Sequence, residues 1–200
     1  ALVTDIPYAT NANLGAIHVA DPGDDIYAND LTINVSGAIV SDIGFPEDLN
    51  VWFGDVNGGV RTFLDEPLVP APMPGDSVSF TVTDLTNYFG ELEITGLTNW
   101  TVQSSGHDVY VPSALGQALD YSTMGSEIFH TYGEITAELG DDCGSWICYE
   151  YKHGGATSSI RASADVGLLV GDCVQWAGPV SYTWGDARFD LNNWDWKSWY

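Results

Sequence analysis

Four histidines, His18, His107, His130 and His153, could do acid–base or metal chemistry, but their separations match no metal-ligand or catalytic spacing. No GxSxG, GxxxxGK[ST] or HExxH stretch accompanies them, which removes the nucleophile elbow, the phosphate-cradling loop and the zinc-protease helix. His153 precedes Gly154-Gly155, where a hairpin turn is expected to leave it in solvent. Acids are plentiful, 28 Asp+Glu against 5 Lys+Arg. Two loop clusters, Asp21 with Asp24 and Asp25, and Asp141 with Asp142, offer the oxygen ligands that Ca²⁺ takes, without EF-hand spacing. Solvated acidic turns are the plainer reading of both. A carboxylate pair for glycoside hydrolysis cannot be singled out among so many acids, so no residue is nominated as catalytic and a non-enzymatic protein is expected.

Cys143, Cys148 and Cys173 make an odd count without CxxC spacing, which fits one disulfide and one free thiol in an oxidising compartment, with the pairing open. Aromatic side chains are the remaining candidates for binding. Trp52, Phe53, Trp146 and Tyr149 fall on a strand that recurs in both halves, where ring faces could stack on sugars or bases. Core packing competes, because Val51 and Phe53 alternate with Trp52. At the ends, Leu2, Ile6 and Tyr8, and Trp196 and Trp199 in the tail, carry apolar surface suited to assembly. Two N-x-[ST] sequons occur, at Asn34 and Asn99.

The elements that must position these residues are strands. Gly37 and Gly133, Gly58 and Gly154, and Gly75 and Gly171 are each 96 residues apart, the signature of an internal duplication. Each unit reads as five short strands. In the first they lie near 31–40, 48–54, 60–65, 77–85 and 91–95, with 98–104 trailing; in the second near 127–137, 146–152, 157–164, 173–182 and 186–191, with 194–199 trailing. Residues 14–20 read as an extra strand, and 112–119 as a short helix between the units. The expected fold is all-β: a 1–30 extension with an N-terminal strand, then two tandem five-stranded OB-like (Greek-key) barrels over 31–110 and 111–200.

The runs Gly58-Gly59-Val60-Arg61, Pro74-Gly75-Asp76-Ser77-Val78 and Tyr88-Phe89-Gly90-Glu91-Leu92-Glu93-Ile94 resemble the OB-fold regions of bacterial extracellular nucleases. Val111-Pro112-Ser113, Val170-Gly171-Asp172-Cys173 and Trp184-Gly185-Asp186-Ala187-Arg188-Phe189 resemble the segment that follows them. That family's catalytic domain has no counterpart here, so the resemblance implies an architecture and an exported setting without active-site residues. No run of 18 or more apolar residues would span a membrane, and the opening at Ala1 fits a mature secreted or cell-surface chain. A formal charge of −23 repels phosphate backbones and disfavours bulk nucleic-acid binding. The expectation is an exported structural subunit that associates with itself, through its N-terminal strand, into a fibre or surface layer. The alternative is a monomeric secreted module that binds an oligosaccharide or oligonucleotide.

Overall fold

The computed structural model describes residues 13–23, 25–44, 49–55, 58–109, 111–120, 124–140, 147–162, 166–183 and 186–191. The first barrel is built from β2 (Ile33–Ile43), β3 (Val51–Asp55), β4 (Gly58–Thr62), β5 (Ser77–Tyr88) and β6 (Glu91–Ser104). Its ring runs β5-β2-β3-β4-β6 and is closed by the β5–β6 ladder. The second contains β7 (Ile128–Glu138), β8 (Ile147–His153), β9 (Ala156–Ala162), β10 (Cys173–Thr183) and β11 (Asp186–Leu191), closed in the order β10-β11-β9-β8-β7. Each ring has a parallel pair, β4–β6 in one and β9–β11 in the other, and the remaining pairs are antiparallel. The expected all-β fold of two tandem five-stranded OB-like barrels is the fold observed.

Alternation along the strands fills each barrel. Val78, Phe80 and Val82 of β5 point into the first core, with Val35, Val40, Phe53, Val60 and Ile94. Ile135, Tyr149, Tyr151, Ile160, Trp176 and Phe189 fill the second. The duplication persists in individual hydrogen bonds. Met73 N–H donates to the Asp76 carboxylate and Leu169 N–H to that of Asp172, both at 2.9 Å. The same two turns then donate from Gly75 N–H to Val40 O and from Gly171 N–H to Ile135 O. The hairpin glycines do not correspond, however. β3 turns to β4 at the Asp55–Gly58 pair, whereas β8 and β9 extend to His153–Ala156, so the second hairpin is longer.

Three sequence expectations are corrected. Residues 14–20 do not add a strand: Leu14–Val19 is a helix, α1, whose Leu14 and Ile17, three apart on one face, are fully buried in the first core. That burial overrides the apparent alternation. A two-residue strand, β1 (Tyr27–Ala28), pairs with β5 instead. The connection at 112–119 is not helical. Ala114 N–H donates to His130 O and His130 N–H to Pro112 O, which pins it to β7, and Gly116 at φ 75° reverses the chain. Residues 98–104 are not a separate strand but the continuation of β6.

The barrels touch. A Cβ on Gly59 of β4 would lie 2.3 Å from the Ser126 carbonyl oxygen, and one on Gly90 would lie 2.2 Å from the Tyr182 ring. Glycine is therefore what lets the second unit approach the first at these two points.

Candidate ligand-binding surface

The hairpin joining β5 to β6 has a two-residue turn, Phe89-Gly90, between the paired residues Tyr88 and Glu91. Such a turn needs positive φ at both positions, and Phe89 (φ 49°) and Gly90 (φ 92°) both adopt it. Asparagine or glycine takes this conformation readily. A phenylalanine does so at a cost of about 1–2 kcal/mol.

Side-chain hydrogen bonds hold the turn. Asn87, itself buried, accepts from Gly90 N–H through its amide oxygen at 2.9 Å and donates through its nitrogen to both Asp21 oxygens, at 2.9 and 3.1 Å. Asp21 also accepts from Gly23 N–H, and Asp25 accepts from Phe89 N–H at 3.3 Å. The carboxylates of Asp21 and Asp25 thus brace the aromatic hairpin against the segment entering β1. Asp24, Asp141 and Asp142 lie outside the described residues, among which no group of three His, Cys, Asp or Glu side chains is placed to hold a metal.

The result is an aromatic rim on the first barrel. Tyr27 is 67% exposed, Tyr88 50% and Phe89 38%, with Ile26 beside them, and the Tyr88 and Phe89 rings meet edge to face at 4.6 Å. Tyr182 of β10 closes the far side against Gly90. In OB topology this hairpin is the loop between the fourth and fifth strands, one of the two loops that fold uses for oligonucleotides and oligosaccharides.

Beneath the rim runs a row of outward-facing residues that pair strand to strand, Trp52, Arg61, Glu93 and Thr86, the last of them paired with Tyr27 of the rim. Arg61 is buried, bonds to Glu93, reaches Glu91 at 3.3 Å, and lies over the Trp52 ring at 5.9 Å. This polar layer lies outside the first core, so its burial comes from covering segments, not from the barrel interior.

The aromatics expected to bind are elsewhere. Phe53 belongs to the first core and Tyr149 to the second, both pointing inward on their strands. Trp52 points outward but is 2% exposed, because Gly44 leaves room for its ring and Arg61 covers it. None of the three is open to a ligand, and Trp146 lies outside the described residues, as do Leu2, Ile6, Tyr8, Trp196 and Trp199. His153 is buried, not solvated: its Nε2 is 2.8 Å from Ser158 Oγ, and its ring stacks on Tyr151 at 5.3 Å. Burial holds its pKa below the ordinary histidine value. Cys148 is disulfide-bonded, Cys173 is free and exposed, and Cys143 lies outside the described residues. Sequence reasoning missed Asn87 and the Tyr27–Tyr88–Phe89 rim. The available signal was Phe-Gly in a turn where Asn-Gly is the usual pair.

No protein-family model matches the chain, and no curated protein matches it. Among solved structures it is similar to the tetrameric p202 HIN2 (TM-score 0.43, 11% identity, covering 88% of this chain and 95% of that one). It is also similar to a murine DNA-binding protein bound with double-stranded DNA (0.42, 10%, 80% and 90%). A third is the Ifi202 HINa domain in complex with 20-bp double-stranded DNA (0.40, 12%, 86% and 98%). None of these comparisons links the chain to bacterial nucleases. Two of the three structures are described by the DNA they hold. The fibre or surface-layer reading, with self as partner and nucleic acid discounted, is corrected on this chain's own fold. The segment expected to be lent to a neighbour is the helix α1, docked on its own barrel.

Proposed function

We propose that the chain is a secreted, non-enzymatic binding module that holds an oligonucleotide strand by stacking its bases on Tyr27, Tyr88 and Phe89. The observation that carries this reading is Phe89. A bulky side chain held in the left-handed region, on the loop OB barrels use for ligands, is strain kept at the place where a ring is useful. The disulfide at Cys148 supports export.

Contact with phosphates contributes little in this scheme. Arg61, Arg161 and Arg188 are buried, and Lys152 is the exposed Lys or Arg among the described residues. Affinity therefore comes from base stacking, at about 1–3 kcal/mol per base. The burial of the arginines also favours a second reading, an oligosaccharide whose sugar faces stack on the same rings without phosphate repulsion.

Titration of fluorescent single-stranded oligonucleotides and of neutral oligosaccharides, followed by anisotropy or calorimetry, separates the two. Tyr88→Ala and Phe89→Ala are each expected to weaken the ligand that binds by about 5- to 100-fold. Binding that both variants leave intact would remove the rim from the function.

A further inference from the structure

The two sequons, Asn34-Val35-Ser36 and Asn99-Trp100-Thr101, lie on the same outer face of the first barrel. We propose that Asn34 and Asn99 both carry N-linked glycans, which together cover the β2–β5–β6 face. This inference is independent of the stacking surface and rests on the export proposed above.

Each sequon is presented in the same way. Its middle residue turns inward: Val35 is in the core, and Trp100 packs beside Phe53 and Phe80 at 6.2 and 6.0 Å. Its asparagine and its hydroxyl residue are both exposed. In β6 a bulge produces this arrangement. The ladder passes from Ser79–Thr101 to Thr81–Thr98, so that Asn99 and Trp100 together face Phe80, and Asn99 takes φ 56°. Thr101 Oγ1 donates to the Asn99 backbone carbonyl at 3.4 Å, which holds the hydroxyl against its own sequon.

The two asparagines meet across β5. Thr81 Oγ1 donates to Asn34 Oδ1 at 2.9 Å and accepts from Asn99 Nδ2 at 3.3 Å. Asn34 is thus held by its oxygen, which leaves its nitrogen, the atom that would be glycosylated, outside that bond. Ser36 and Ser79 complete the patch through their hydroxyls at 3.1 Å. None of these five residues is charged, in a chain carrying −23.

The chemistry balances with one co-reactant, an oligosaccharide linked through phosphate to a lipid carrier and delivered by a transferase during export. The Asn Nδ2–C1 bond forms, the C1–O bond to phosphate breaks with the electron pair leaving on phosphate, and one amide proton passes to a base. Seven residues of β5 separate Thr81 from Tyr88, about 23 Å at ~3.3 Å per residue, so glycans at these positions leave the aromatic rim open.

Intact-mass measurement and glycopeptide mapping of the protein purified from its native source test the proposal. The wild type is expected to carry two glycans, and Asn34→Gln and Asn99→Gln one each. Ser36→Ala and Thr101→Ala keep the asparagines and their backbone, and each is expected to lose the same glycan as its neighbour's substitution, whereas Ser36→Thr retains it. A native mass equal to the bare chain, occupancy of only one sequon, or sugar that persists in the double Asn→Gln variant would each overturn it.

Discussion

Gly54 and Gly59 are cross-strand partners on β3 and β4, and substituting each by alanine tests whether the two barrels are packed as a unit. Neither has a positive φ, so backbone strain is absent from both substitutions. A Cβ on Gly54 meets only Ser41 Oγ at 4.0 Å. Gly54→Ala should therefore be neutral or stabilising by about 0.5–1 kcal/mol, the usual gain from removing a strand glycine. On Gly59 the same atom falls 2.3 Å from Ser126 O and 2.5 Å from Glu127 N. These are backbone atoms, and they are not free to swing aside: Ser126 N–H donates to Val180 O at 2.8 Å, and Val180 N–H to Glu127 O at 3.0 Å, tying the segment to β10. Relief requires the second barrel to move, and overpacking of this kind costs about 1–3 kcal/mol. The two variants should differ by about 1–4 kcal/mol in urea unfolding followed by tryptophan fluorescence, each kcal/mol corresponding to about 2–4 °C in Tm at this chain length. A Gly59→Ala protein within about 0.5 kcal/mol of Gly54→Ala would refute the packed junction and the placing of Tyr182 beside the aromatic rim.

Other predictions follow the same geometry. Arg61→Met removes a guanidinium that two buried carboxylates share, and should cost about 3–5 kcal/mol, partly recovered when Glu93→Gln is added in the same chain; equal stability to wild type would show that Glu91 and Glu93 are not held by it. Phe89→Gly relieves the left-handed strain, so unfolding stability should hold or rise by up to about 1 kcal/mol while ligand affinity falls, two effects that a purely structural phenylalanine would not separate. His153 has a lowered pKa in the fold, so the unfolded chain takes up its proton first on acidification, near the ordinary value of about 6.5. Its contribution is present above that pH and declines as pH falls toward the lower folded value. His153→Gln should flatten the pH dependence of unfolding in that window.

How much of this was legible in the sequence depended on whether the signal was local. Period-2 runs such as Ser77–Thr83 located strands because each has one face in a core, and the Asp76 and Asp172 turns recur because both units need the same bond back to their first strand. The helix α1 was not legible. Six residues give little periodicity, and what decides their state is the burial of Leu14 and Ile17 against a barrel assembled from distant strands. Trp52 failed for a related reason. Alternation put it on the outer face, but whether an outer face is wet depends on Gly44 and Arg61, neither of which strand periodicity registers. His153 does precede the Gly154-Gly155 turn, but it is the last paired residue of β8, and strand alternation turns its ring inward against Tyr151 and Phe189.

The acidity also has a narrower meaning than composition suggested. Net charge sets the long-range field, whereas the mode of binding is set by which cations a ligand can reach. Three of the five basic residues are buried, Arg61 among them against two carboxylates, so they offer little to a phosphate. A polymer held on Tyr27, Tyr88 and Phe89 must then be held by its rings. For a basic protein, raising salt weakens binding by about 0.9 log units per log unit of salt for each phosphate contact on duplex DNA, because counterions are released. Here few counterions are released and the dominant Coulomb contribution is repulsion, which salt screens over a Debye length of about 10 Å at 0.1 M. Oligonucleotide affinity should accordingly hold or rise between low and moderate salt, and oligosaccharide affinity should not change. A steep fall for the oligonucleotide would mean that the phosphates, not the bases, are the groups recognised.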